Sequence, residues 1–369
     1  MKKKMLYVMH IDWNWIKQRP QFLAEELAKF YDLTVVYTYG YRRKLLVHNQ
    51  KNNINRFVAL YRLPHQRFRN TLFGRIINDT ILKLQFRMFD NNYDYVWLTS
   101  PTYVNFIKNR FKKSKIIYDC MDDNIGIKDD IERNKILKLE HELLSIADIV
   151  FVSSDNLKNV IKKRGYKKEI YVINNAISSG LIREFENSYI NTDNTDNNYI
   201  VKNKKYFKLL YVGTISYWFD FEKILKLLDD LPNITVTLVG PCEVDIPKHK
   251  RLIYNGIIPH SNLLSFVKDY DVLIMPFILN ELILSVDPVK IYEYISFGKN
   301  IVSIYYKEME KFRKFVYFYN DYKDLKNTIE FLTKNNYLKF SKREALQFLM
   351  KNTWEIRAKN IFQILEAYK

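Results

Sequence analysis

The sequence predicts an α/β protein built from two doubly wound domains that face each other. Three observations predict it. Short apolar runs alternate with helical stretches in the first half. The same alternation restarts after a polar stretch at 186–205. And 369 residues suit two domains of ordinary size better than one.

In the first half, Met5–Met9, Leu33–Tyr37, Tyr95–Leu98, Ile116–Tyr118, Ile149–Val152 and Tyr171–Ile173 read as buried parallel strands. Helices are expected at Gln21–Phe30, with Pro20 near the first turn, and at Ile131–Ala147 and Asn156–Arg164. In the second half, strands are expected at Leu209–Val212, Ile234–Val239, Leu252–Tyr254, Val272–Met275 and Ile301–Ile304, with helices at Phe221–Leu228, Ser261–Tyr270 and Pro288–Phe297. The boundaries follow: a first domain over 1–185, a polar linker over 186–205 rich in Asn, Asp, Thr and Lys, and a second domain over 206–351. A closing helix over 352–369, capped by Asn352 with Glu355 three residues on, has Trp354, Ala358, Ile361 and Leu365 on one face and is expected to pack back toward the first domain.

Composition narrows the classes. The chain is 47% hydrophobic and 27% charged, enough to bury sizeable cores. No apolar run approaches the roughly 20 residues needed to cross a bilayer, and the apolar stretch after Lys4 is too short for a signal peptide, so a cytoplasmic protein is expected. The two cysteines, Cys120 and Cys242, are far apart and read as reduced core residues. A formal net charge of +18 attracts anions of several kinds: nucleic acid, anionic lipid or phosphorylated substrates.

The segment Asp287–Lys299 carries the chemistry. Asp287 reads as an N-cap, Pro288 as the first helical residue and Gly298 as the stop. A helix start with free amides and a partial positive charge suits a phosphate, and Lys290 adds a full charge. Glu293, three residues on, shares that face and could accept hydrogen bonds from a ribose diol; the plainer reading is a capped helix with a surface Lys–Glu pair.

Pro288-x-Lys290-x-Tyr292-Glu293-Tyr294 followed by Gly298-Lys299 resembles the nucleotide-sugar helix of GT-B glycosyltransferases, in the broad group that includes family four. Other segments resemble that group in order: Ala147–Ser154, Val172–Ala176, Tyr211–Ile215 with Trp218-Phe219-Asp220, Leu238–Pro241, Asn255–Pro259 and Asp271–Phe277. The resemblance implies a GT-B fold, transfer from a nucleotide-diphosphate sugar (UDP- or GDP-linked), no cofactor, no metal, and a lean toward retention at the anomeric carbon. It implies donor contacts from Gly213, Thr214, Ile258, Asp287, Lys290 and Glu293. Three positions depart from the family pattern: Ser285 stands where a glutamate is usual, Thr214 where an arginine is usual, and Phe219 where a lysine is usual. Phosphate neutralisation is then left to Lys290, the helix amides or Arg19.

On the acceptor side, Trp13, Trp15 and Arg19 follow the first strand and suit sugar faces or an amphipathic acceptor, with core packing as the plainer reading of the tryptophans. With Tyr118–Asp123 they resemble a subgroup of teichuronic-acid-type envelope polysaccharide transferases. Asp119, Asp122 and His10 are the candidate catalytic groups, Asp122 foremost, either as general base or as a group that steadies the acceptor hydroxyl. Arg56, Phe57, Arg62, His65, Arg67, Phe68, Arg69, Phe73, Arg75, Lys83 and Arg87 form a basic aromatic stretch suited to an anionic membrane surface and a lipid-linked acceptor. Nucleic acid would fit the charge, but no nucleic-acid motif accompanies it. The expectation is a sugar transferase of envelope glycan synthesis, peripheral at the inner face of the plasma membrane. The rival readings are a non-catalytic glycan- or lipid-binding scaffold on the same fold and a nucleic-acid-binding protein.

Overall fold

The computed structural model describes residues 2–15, 17–39, 53–64, 68, 71–127, 129–190, 206–335 and 337–368. They form two compact units: Met1–Asn175 with Trp354–Lys369, and Ala176–Thr353.

The first unit holds a seven-stranded sheet, entirely parallel, in the order β3-β2-β1-β4-β5-β6-β7. Its strands are β1 (Lys4–Met9), β2 (Asp32–Thr38), β3 (Arg56–Leu60), β4 (Tyr95–Leu98), β5 (Lys115–Cys120), β6 (Ile149–Val152) and β7 (Ile170–Val172). β4 and β6 are buried along their whole length, as the unbroken apolar runs require, because helices cover both faces of a parallel sheet. The edge strand β3 was not foreseen. Its two leading residues are exposed, so it lacks the apolar run that marks an inner strand.

The second unit holds a six-stranded parallel sheet, order β10-β9-β8-β11-β12-β13. Its strands are β8 (Phe207–Val212), β9 (Ile234–Val239), β10 (Leu252–Tyr254), β11 (Val272–Met275), β12 (Asn300–Ile304) and β13 (Val316–Tyr319). In both sheets the chain winds outward one way, returns to the first strand and winds the other way. This doubly wound order places a topological switch point between β1 and β4 in one unit and between β8 and β11 in the other.

The division of the chain differs from the expected one at its first boundary. The helix Ser179–Ile190 belongs to the second unit, because Leu181, Ile182 and Phe185 are buried in that unit's core. Ile177 N donates to Asn352 O at 3.0 Å, closing the unit where its two chain ends meet. Of the expected linker 186–205, residues 191–205 lie outside the described residues.

The closing helix Trp354–Ala367 is part of the first unit. Trp354 stacks on Phe22 at 5.2 Å, Phe362 stacks on Phe30 at 4.6 Å, and Tyr95 donates to Leu365 O at 3.1 Å. Trp354, Ala358, Ile361 and Leu365 are its buried residues, as their spacing requires. Asn352 does not begin this helix; its side-chain amide donates to Phe348 O at 2.8 Å, at the end of the preceding helix. Among the described residues, no helix is long and apolar enough to cross a membrane.

Candidate active site

In the second unit, the expected donor residues gather at the carboxyl ends of β8, β9 and β10 and on the helix after β11. β8 runs into Gly213, whose N–H donates to Val239 O at 2.9 Å. Gly240, at the end of β9, has φ +134°, and a Cβ there would lie 2.1 Å from Gly213 O. Two backbones therefore pass at a distance that only glycine permits. Thr214 is half-buried and its carbonyl accepts from Tyr211 Oη at 2.8 Å. Ile258, after β10, is half-buried against the same core.

The helix Val289–Ser296 starts one residue later than its sequence suggests. Pro288 is the N-cap, with ψ 109°, and its own side chain has no group to cap the amides. Asp287, just before it, is buried, and Lys311 lies 2.9 Å from its Oδ1. The first-turn amides bring a partial positive charge to the helix start. Lys290 Nζ donates to Glu293 Oε2 at 2.9 Å, so both groups share one face; Glu293 is buried and Lys290 half-exposed. Gly298, with φ +64°, ends the helix as expected.

Tyr294 was not singled out from sequence, yet it joins the parts. Its hydroxyl donates to Val212 O at 3.1 Å and accepts from Val212 N at 2.7 Å. The β8–β11 ladder stops at Leu210, and this hydroxyl takes the place of the next strand residue. It fixes the helix to the residue before Gly213. The signal in the sequence was a tyrosine on the helix's inner face, which when buried requires a polar partner.

Of the three departures, Phe219 is buried with its ring edge-on to Tyr211 at 4.9 Å, and it pairs as an isolated bridge with Phe277. Asp220 N donates to Pro276 O at 2.9 Å and Ile278 N to Trp218 O at 2.7 Å. The loops after β8 and β11 are thereby stitched together at the switch point. Ser285 is fully buried at the end of the helix Glu281–Ser285.

In the first unit, His10 ends β1 and is exposed; its Nδ1 lies 2.9 Å from Thr99 Oγ1, which follows β4, so this contact spans the switch point. Arg19 and Asp119 are both buried and bound to each other. Arg19 Nη2 and Nε donate to Asp119 at 2.8 and 3.1 Å, and Nη1 donates to Ile173 O at 2.6 Å and Asn175 Oδ1 at 3.3 Å. The pair ties the first helix to β5 and the end of β7. This geometry gives Arg19 and Asp119 a framing position rather than an open one.

Asp122, three residues past Asp119, is exposed on the loop after β5. The protein packed around it pushes its carboxyl above the usual carboxylate range; the Arg19 charge opposes that push, and the charges of Asp123 and Asp119 add to it. Its open surface lets water limit the shift. The loop beneath it is anchored by buried charge. Arg164 binds Asp123 and, at 2.6 Å, Glu140; Glu140 also accepts from Tyr118 and Asn124, each at 2.7 Å. Asp123 starts the short turn Asn124–Gly126 by accepting from Ile125 N at 3.1 Å.

Trp13 is buried edge-on against Phe57 of β3 at 4.8 Å, which is a packing role, while Trp15 is half-exposed. Among the described residues, no group of three acidic, histidine or cysteine side chains could hold a metal ion.

The architecture has close counterparts among solved structures. A sucrose-phosphate synthase from Thermosynechococcus elongatus superposes with a TM-score of 0.70 over 99% of this chain and 98% of that one, at 13% identity. Anabaena HepE in complex with UDP and glucose superposes with 0.70 over 99% and 100%, at 12% identity. An E. coli trehalose-6-phosphate protein bound with UDP-2-fluoro glucose gives 0.66 over 99% of each chain, at 11% identity. The chain has the GT-B fold. Each of its two units is a Rossmann-like half of that fold, and the expected fold class holds. By sequence, the GT-B chain is 23% identical over 241 residues to TuaH of Bacillus subtilis (strain 168), provisionally named a teichuronic acid biosynthesis glycosyltransferase. That match covers 61% of this chain and 59% of the relative's length. No family profile matches the sequence.

Proposed function

We propose that this protein transfers a sugar from a nucleotide-diphosphate donor, UDP- or GDP-linked, to a lipid-linked glycan acceptor in bacterial envelope polysaccharide synthesis, working at the inner face of the plasma membrane. The observation that carries the reading is the Val289–Ser296 helix, with Lys290 and Glu293 on one face and a hydroxyl tie to the strand end before Gly213. A helix start favours an anion such as a diphosphate, and Lys290 supplies a cation in its first turn. A buried carboxylate at Glu293 is suited to a ribose diol. When the diol binds, Lys290 can turn from Glu293 to the phosphates. Two GT-B neighbours whose complexes hold UDP or a UDP-sugar, and the teichuronic-type relative, support the donor and acceptor classes.

On the acceptor side, the ionised Asp122 accepts a hydrogen bond from the attacking hydroxyl and steadies it, and His10 lines the same strand ends. Arg19 and Asp119 hold the frame behind them. The reaction retains the anomeric configuration, and NMR of the product's anomeric signal checks this. Because Asp122 must be ionised and its pKa is raised, transfer falls as pH drops through a point above roughly 4, the ordinary carboxylate value. Asp122→Asn abolishes that limb along with most activity.

Donor turnover by the purified protein tests the site. Lys290→Ala and Glu293→Ala are each expected to lower it about 100-fold or more, the scale of a lost charge-stabilising group. Turnover like wild type in both variants would contradict the assignment. Ser285, Thr214 and Phe219 favour one second reading, a scaffold that binds the donor without transferring it. It predicts nucleotide-sugar binding with no turnover under any acceptor.

A further inference from the structure

The helix Leu72–Arg87 in the first unit has an exposed face that the core does not explain. Its inner face is Gly74, Asn78, Leu82 and Phe86, all buried. On the outer side, Leu72 is 77% exposed, Phe73 66%, Ile76 58% and Leu84 55%, and Met88, just past the helix end, is 66% exposed. Phe73, Ile76, Leu84 and Met88 recur at helical spacing, so they form one strip along the side opposite the core. Phe68, also exposed, meets Phe73 edge-on at 6.5 Å and extends the strip. Single exposed apolar residues are ordinary, but this many on one short helix are not.

Lys83 and Arg87 are exposed along one edge of the strip, while Arg75 and the acid Asp79 are exposed on the helix but turned away from the strip's centre. Arg56 and Arg62 lie on and just after β3, on the helix's inner side, where Arg62 donates to Tyr103 Oη at 2.8 Å. Apolar side chains bordered by cations match a bilayer interface, where the rings and aliphatic groups enter the acyl boundary and the cations remain among anionic headgroups. A protein partner would have to supply an acidic apolar groove, whereas an anionic bilayer supplies both features at once.

We infer that this helix face, Phe73, Ile76, Leu84 and Met88 with Lys83 and Arg87 along its edge, is the surface by which the protein lies on an anionic lipid bilayer. The inference deepens the proposed function and rests on its lipid-linked acceptor, but it is tested without turnover. His65, Arg67 and Arg69, which the sequence grouped with this stretch, lie outside the described residues and take no part in it.

The full-length chain is sedimented with phosphatidylcholine vesicles and with vesicles that also contain phosphatidylglycerol. Wild type is expected to partition onto the anionic vesicles and to leave them as salt is raised. Phe73→Ser with Ile76→Ser should weaken that partitioning about tenfold or more on the same vesicles. Lys83→Glu with Arg87→Glu should remove the preference for anionic over neutral vesicles. These side chains are exposed, so thermal melting of each variant should match wild type. Transfer to a water-soluble acceptor analogue should also be unchanged, which separates failure of the surface from failure of the enzyme assignment. Wild type that stays in the supernatant, or that binds both vesicle types equally, would overturn the inference. So would a concentration-dependent dimer in free solution that the Phe73 and Ile76 substitutions dissolve, since a second copy would then be the occupant.

Discussion

At the strand ends of the first unit, the loops are held by buried charge. Arg19 grips Asp119, and Arg164 bridges Asp123 and Glu140 under the loop that presents Asp122. At the same ends of the second unit, neutral contacts hold the loop crossings, beside a buried ion pair, Lys311 with Asp287. Gly213 and Gly240 pass backbone to backbone, Tyr294 plugs its hydroxyl into the end of β8, and main-chain bonds join 218–220 to 276–278. The difference suits what each end is proposed to do. A carboxylate that must hold a proton-bearing acceptor is tuned by nearby fixed charges. An end that must receive a diphosphate presents a helix start and Lys290, and its buried acid Asp287 is paired with Lys311.

Breaking one partner of a buried ion pair should therefore hurt the first unit most. Arg19→Met leaves Asp119 buried without its cation and is expected to cost about 3–5 kcal/mol of stability, measured by urea unfolding. Arg19→Met with Asp119→Leu should recover most of that loss. If the double variant is as unstable as the single one, charge is not what fixes these loops. In the second unit, Gly240→Ala places a Cβ where φ is +134° and a carbonyl oxygen lies 2.1 Å away. Strain and overlap together should cost about 2–5 kcal/mol. A smaller effect is expected from Tyr294→Phe, which leaves two polar groups of Val212 without the hydroxyl, at about 1–3 kcal/mol. Its donor affinity should fall beyond what the stability loss explains, because the helix is no longer fixed to the Gly213 turn.

The Lys290–Glu293 pair sharpens the contrast from the other direction. It is an exposed-to-buried contact three residues apart on one helix, so its own share of stability is expected to be a few tenths of a kcal/mol. A residue whose loss barely changes melting but removes turnover is serving a ligand rather than the fold.

The sequence made the inner strands legible because burial on both faces leaves an unbroken apolar run, as in β4 and β6. Two of the four edge strands, β3 and β13, escaped: each has residues that meet water, and Arg56 to Leu60 read as basic surface. The first boundary was placed ten residues late because Leu181, Ile182 and Phe185 are apolar in either unit, and only packing decides which core takes them. At the candidate site, Gly298 and the Lys290–Glu293 face follow from local spacing. Asp287 did not, because a cap one residue away depends on the backbone at Pro288 and on Lys311, which is distant in sequence. The commitment of Arg19 to Asp119, a hundred residues on, has no local signature at all.

The most direct test of the central claim is thermal melting of the purified protein with UDP-, GDP-, dTDP- and CMP-sugars, each alone, for wild type and Glu293→Ala. A ligand present at about 100 times its dissociation constant adds about 2.7 kcal/mol, which for a domain of this size is a rise of about 5 °C or more. The account predicts such a rise for wild type with a UDP- or GDP-sugar and its loss in Glu293→Ala. No rise with any of the four, or the same rise in both proteins, would contradict it.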